Sequence, residues 1–291
     1  MRRLALLLSL GSATTFAAQQ AASVDLDAVL QRASERVQAY FARAQSIVCL
    51  EIVHWLPLNS FFSNDGMSRT MESELRLSWA PSDNGAASAE AQTIRQLLRV
   101  NGREPRKNDW RNCTDPEQQT SEPHFLSMLL PTQRGDYEFK LAGKTRLEER
   151  AAVMVDYRVL KKASASSSLV DGRDDCVNYE IDGGKRGRLW IDAETYEVLR
   201  LDQSLIGMID IPLPQKLRIP FQGTPYWTAE RMDISIRFKA VSFTNPDETL
   251  ILPVSMSQLR ITRGAGTPRL RTMTDYTQYR RFLTGGRVVP Q

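Results

Sequence analysis

Two histidines in 291 residues, His54 and His124, leave little room for imidazole chemistry. The chain has no Gly-x-Ser-x-Gly elbow, no Gly-x-x-x-x-Gly-Lys-Ser/Thr phosphate loop and no His-Glu-x-x-His pair. A Ser-His-Asp or Cys-His enzyme would therefore have to use one of those two rings. His54 lies in the apolar run EIVHWL and reads as a packed histidine, whereas His124, in SEPHFLS, stands near a helix start. Three cysteines without paired Cys or His spacing give no zinc site, and no metal or cofactor is expected. Paired acids occur at Glu148-Glu149 and Asp174-Asp175. Neighbours on an extended strand point to opposite faces, so Glu148 and Glu149 could not serve one cleft there. No enzymatic activity is expected. An enzyme whose site is assembled from unremarkable residues is the remaining alternative.

Long hydrophobic runs are equally scarce. The longest, Leu4 to Leu10, is broken only by Ser9, follows Arg2-Arg3 and leads to small residues before Ala17-Ala18. That is the three-part layout of a secretory signal cleaved after Ala17 or Ala18; a fraying helix of a cytosolic protein is the alternative. No cysteine follows the apolar core to accept a lipid. Nothing else approaches the roughly 18 apolar residues of a membrane span. The expectation is a signal peptide over residues 1–18 and a single domain over 19–291. The protein would be exported, to the periplasm or beyond the cell, and not integral to a membrane. An oxidising compartment permits one disulfide. Cys113 and Cys176 sit in polar surroundings and are the expected pair, while Cys49, in SIVCLEIV, reads as a buried filler.

Charge is unevenly placed. Residues 258–291 hold seven arginines against Asp275 alone, while the body before them is mildly acidic. Such a basic stretch could meet anionic lipid head groups or another acidic surface, or simply be solvent-facing strand and turn. Export and an acidic body argue against nucleic acid as a partner.

What is present is mostly two-residue alternation. One amphipathic helix opens the domain: Leu26, Val29, Leu30, Ala33, Val37, Tyr40, Phe41 and Ala44 recur every three or four residues, with Asp25 or Ser23 as cap. From there apolar and polar residues alternate, as in Met71, Leu75, Leu77 and Trp79, in Val153, Val155 and Tyr157, and in Met232, Ile234, Ile236 and Phe238. This is the half-wet pattern of antiparallel sheet. Phase slips after Phe238 and after Met256 suggest β-bulges that bend long strands. Asn101-Gly102, Asp182-Gly183-Gly184, the turn at 192–195 and that at 245–248 read as hairpin turns. Residues 82–89 and 163–175 read as flexible loops, and 122–130 as a second short helix stopped by Pro131. The proline-rich stretch 209–225 cannot be central strand and reads as a lid or crossing loop. Ten to twelve strands are expected, roughly, in a mainly β protein with helices (α+β): a curled antiparallel sheet or half-open barrel with the helix laid on it.

The segment 186–202 is a hairpin in which Leu189 and Ile191 share one face and Trp190 takes the other. Its pattern, Gly187-x-Leu189-Trp190-Ile191-Asp192-x-x-Thr195-x-x-Val198-x-Arg200, resembles the hairpin of periplasmic lipoprotein carriers of the outer-membrane lipoprotein-sorting kind. The sigma-factor regulators that share their half-barrel are included in the likeness. The order of signal, helix and long meander is similar too. So is the ending Tyr276-x-x-Tyr279-Arg280-Arg281-Phe282, which resembles the closing strand of uncharacterised exported bacterial proteins. The resemblance implies an envelope binding protein holding a lipid, acyl chain or lipoprotein in an apolar hollow, with Trp79, Trp190, Ile209 and Ile211 as candidate lining. The alternative is a non-enzymatic module that senses or binds an envelope protein partner.

Overall fold

A computed structural model of the chain describes residues 24–43, 47–79, 91–106, 109, 123–170, 173–218, 225–244 and 247–281. The leader, Cys113 and the loop at 82–89 lie outside them.

Helix α1 (Leu26–Arg43) forms where the three- and four-residue spacing requires it. Asp25 caps it, its Oδ1 accepting from the amides of Asp27 at 3.0 Å and Ala28 at 3.3 Å. Val29, Leu30, Ala33, Val37 and Phe41 are buried along one stripe, each worth roughly 1.5–3 kcal/mol for the larger side chains.

The strands follow: β1 (Ile47–Pro57), β2 (Arg69–Trp79), β3 (Ala91–Val100), β4 (Tyr137–Leu147), β5 (Arg150–Val159), β6 (Ser164–Val170), β7 (Arg173–Asp182), β8 (Lys185–Asp192), β9 (Val198–Leu205), β10 (Ile209–Pro212), β11 (Tyr226–Thr244), β12 (Asp247–Arg263) and β13 (Arg269–Arg281). Eleven belong to one sheet, in the order β3-β2-β1-β13-β12-β11-β9-β8-β5-β4, with β10 paired to β11 off that path. Every described pairing is antiparallel, and β3 and β4, at the two ends, do not pair. The fold is thus mainly β, a large sheet left open. One face buries Ile47, Cys49, Leu75, Val155, Leu189, Leu201, Ile236 and Leu252 against α1 and a 3-10 helix over Pro123–Leu129.

Several expectations change. Residues 164–170 are not a loop: β6 pairs with β7 in a separate two-stranded ribbon. Ser-rich alternation hides this strand, whose Ala163 and Ala165 pack on Ile181, Ile209 and Ile211. Asp182-Gly183-Gly184 is not a hairpin turn, since β7 and β8 do not pair; it carries the chain from ribbon to main sheet. Glycine is required there, because a Cβ on Gly183 would lie 2.5 Å from the Lys162 carbonyl oxygen. Within the stretch 209–225, residues 209–218 supply a short strand, β10, and a helical turn α2 (Gln215–Arg218), while 219–224 lie outside the described residues. The second short helix is of 3-10 type. A register shift next to Phe238 matches the first phase slip, but β12 runs unbroken against β11 past Met256. There Leu259 and Ile261 simply lie on the other face. Glu148 and Glu149 are not extended. Both have positive φ, 47° and 69°, in the two-residue β4–β5 turn, and Glu148 pairs with Lys239 at 3.3 Å.

Candidate functional site

An apolar slot lies between the helices and the sheet. Tyr40 of α1 and Phe125 and Leu126 of the 3-10 helix face Leu75 and Leu77 of β2, Ile236 and Phe238 of β11, and Pro253 and Met256 of β12; Tyr276 and Tyr279 of β13 complete it. Each strand contributes alternate residues of one face, which is why two-residue periodicity assembles a continuous greasy wall. Its volume is about 40 Å³. A pocket that buries a drug-sized ligand typically measures roughly 300–1,000 Å³. The slot is a narrow seam covered by two helices.

Chemistry inside it is inert. Burial pushes the hydroxyls of Tyr40, Tyr276 and Tyr279 above the usual phenol range, so they stay protonated. Beside them burial, with the Glu51 carboxylate adding to it, raises the free Cys49 thiol to about 12. A protonated, buried thiol is no nucleophile. Along the same face Glu51 takes a bidentate grip from Arg95, Nε to Oε2 at 2.5 Å and Nη2 to Oε1 at 3.1 Å, both side chains nearly sealed from water.

The helix is clasped from one rim. Arg32 Nη1 donates to the Tyr196 hydroxyl at 2.9 Å, its guanidinium lying 4.8 Å from that ring's centre, and Arg36 Nε donates to the Thr195 carbonyl at 2.9 Å. Asp192 builds the turn that offers these groups. Its Oδ1 accepts the amides of Glu194 at 2.9 Å and Thr195 at 2.7 Å, and its Oδ2 pairs with Arg150 Nε at 2.8 Å. Burial opposes ionisation of Asp192, but the amides of Thr195 and Glu194 and the charge of Arg150 outweigh it, holding the carboxyl below the usual range. A depressed folded-state pKa contributes stability above the unfolded value of about 3.9, lost as pH falls through the folded value. Asp192→Asn is therefore expected to lower Tm at pH 7. The gap to wild type should close as pH drops below about 3.9; a gap independent of pH would refute the role of the charge.

The candidate lining residues fare differently. Trp190 stands on the face away from the slot, half-buried, with the Arg200 guanidinium 4.7 Å from its ring centre. It lines an open groove of about 1300 Å³, in which Asp156 pairs with Arg188 and Asp202 with Arg200. Ile209 and Ile211 are buried in a satellite core with Ile181, Leu205 and Ala229, under the β6–β7 ribbon. Trp79 ends β2, and its side chain is outside the described residues. Sequence reasoning missed Leu126, Pro253 and Met256, none of which stood out by composition. Tyr40, Tyr276 and Tyr279 were visible as part of a helical stripe and an aromatic closing motif. His54 lies on the outer face with Nδ1 3.0 Å from Thr70 Oγ1, apart from the slot. Among the described residues no cluster of His, Cys, Asp or Glu could hold a metal ion. Cys176 is buried, and its expected partner Cys113 falls outside the described residues.

No protein-family model matches this chain, and no curated protein matches it. Solved structures do resemble it. A domain assigned to outer-membrane lipoprotein sorting from Vibrio parahaemolyticus is 11% identical, with 90% of this chain and 94% of that one covered and a TM-score of 0.41. A DUF1329 family protein from Desulfovibrio piger is 9% identical, with 89% and 93% covered and a TM-score of 0.41. A LolA superfamily protein from Nitrosomonas europaea is 9% identical, with 92% and 99% covered and a TM-score of 0.37. Among the described residues no helix is long and apolar enough to cross a membrane.

Proposed function

We propose that this chain is an exported, periplasmic binding protein that takes an acyl chain, of a lipid or lipoprotein, into the seam between α1 and the sheet. Residues 1–18 are its signal peptide, 19–291 act as one domain, and Cys113 and Cys176 form its disulfide. One observation carries the reading: a wall of apolar side chains from four strands is covered by two helices, α1 and the 3-10 helix, rather than by further sheet. Helices resting on a sheet can be lifted without breaking a strand ladder. The three tyrosine hydroxyls, all neutral, give the seam polar points without charge. At about 40 Å³ the seam is too narrow for an acyl chain as it stands, and α1 with the 3-10 helix is the plug that such a chain would displace.

The clasp makes this testable. When only a fraction of molecules is open, apparent affinity falls by that fraction. Arg32→Ala/Arg36→Ala frees α1 from the 192–196 turn and is expected to tighten binding of a fluorescent fatty acid several-fold. Protein purified from its own host should carry extractable acyl-chain adducts in native mass spectrometry. Adduct-free spectra together with no probe binding by the clasp variant would end the proposal.

A second reading, partner binding by strand addition, is favoured by the sheet's open ends. Ile94 on β3 is 61% exposed and Leu141 on β4 41%. Charged substitutions at Ile94 would then abolish capture of a partner and leave acyl binding intact.

A further inference from the structure

The β1–β2 loop, residues 58–68, holds apolar side chains out in water. Phe61 and Met67 are each 87% exposed, and Phe62, between them, is 41% exposed. An unrestrained loop would fold such groups inward, but this one is pinned. The Asn59 side-chain oxygen accepts the amides of Phe61 at 2.9 Å and Ser63 at 3.1 Å. Asn59 and Ser63 are joined through the backbone at 3.0 Å, and the Asp65 amide donates to the Pro57 carbonyl at 2.8 Å. Phe62 is held at φ 60°, a conformation a bulky residue adopts at a cost. The strain at Phe62 and the exposed side chains of Phe61 and Met67 beside it have no packing purpose inside the chain.

What surrounds the loop is basic. The Leu58 amide donates to the Arg269 carbonyl at 3.0 Å, which sets the β12–β13 turn alongside, and Leu56 is the register partner of Arg271. Arg269 and Arg271 carry no ion pair among the described residues. Arg263, at the same end, is balanced by Glu230 at 2.6 Å, and Asp65 is the one acid within the loop. Aromatic and apolar side chains projecting ahead of unpaired arginines match a bilayer interface with anionic head groups, where rings sit at the acyl boundary and guanidinium groups at the phosphates.

We infer that this loop is a membrane-docking finger: Phe61, Phe62 and Met67 insert into the interface of an anionic bilayer, and Arg269 and Arg271 engage its head groups. The inference goes beyond the acyl-binding reading and does not depend on it. The probe is the chain beginning at Gln19, floated with vesicles of phosphatidylcholine and phosphatidylglycerol at about 7:3 or of phosphatidylcholine alone. The protein should rise with the anionic vesicles, less so at high salt, because surface charges are screened. Phe61→Ser/Met67→Ser should lower partitioning about tenfold or more with an unchanged melting curve, since both side chains lie in solvent. Arg269→Gln should weaken flotation only with the anionic vesicles. The inference is overturned if the double variant floats as well as wild type, or if wild type stays in the dense fraction with both vesicle types. It is overturned equally if wild type self-associates through a contact that the double variant loses, which would make a second copy the loop's partner. Acyl binding measured on the same double variant separates the two functions.

Discussion

Truncation after Arg263 is expected to leave a chain that does not fold. The basic C-terminal stretch is no appended tail, because β13 lies in the interior of the sheet, hydrogen-bonded to β1 on one side and β12 on the other. Its loss removes the buried Thr274 and Tyr276 and two full ladders. A domain is stable by only about 5–15 kcal/mol, and two ladders with a wall of the core exceed that. Circular dichroism of the truncated chain should show no cooperative melt. A truncated protein that melted like wild type would show that the strand is dispensable, against the topology. As a control, Arg280→Gln touches only an exposed ion pair with Glu74, and surface pairs of that kind contribute about 0–1 kcal/mol.

The second large effect concerns Glu51 and Arg95, whose side chains are 3% and 4% exposed. Removing one partner strands a charge in the protein interior, at a typical cost of about 3–5 kcal/mol. Arg95→Met and Glu51→Leu are each expected to lose that much in urea denaturation. The double variant Glu51→Leu/Arg95→Met should recover most of it, because two apolar side chains of similar volume replace two desolvated charges. Single variants within about 1 kcal/mol of wild type would mean that water reaches the pair. A double variant as poor as the singles would mean that shape, and not charge, ties Glu51 of β1 to Arg95 of β3 across β2.

Both results test parts of the fold that differ in how readable they are. The α1 stripe was legible because five of its residues repeat at helical spacing, and β2, β5 and β11 because apolar residues alternate there. The likeness of the β8–β9 hairpin was legible from one motif. Trp190 shows where such reading stops. It alternates with Leu189 and Ile191, so its own position in the strand put it on the far side, yet the resemblance to lipoprotein carriers suggested a lining role. Strand β6 was missed because a serine-rich run carries no hydrophobic period; its ladder with β7 and the cover it gives Ile209 and Ile211 hold it in place. The slot could not be assembled from sequence at all. Leu75, Phe125, Ile236 and Tyr279 are neighbours only once β1 has paired with β13, a contact that no local pattern encodes.

That pairing also orders events in time. Ile47 sits opposite Arg281, roughly 230 residues later, and closing so long a loop is slow. A chain leaving a ribosome with its N-terminus first must therefore wait, its opening three strands without their permanent neighbour, until β13 has emerged. Delay of this kind leaves the β1 border open to chaperones, or to clumping, until β13 arrives.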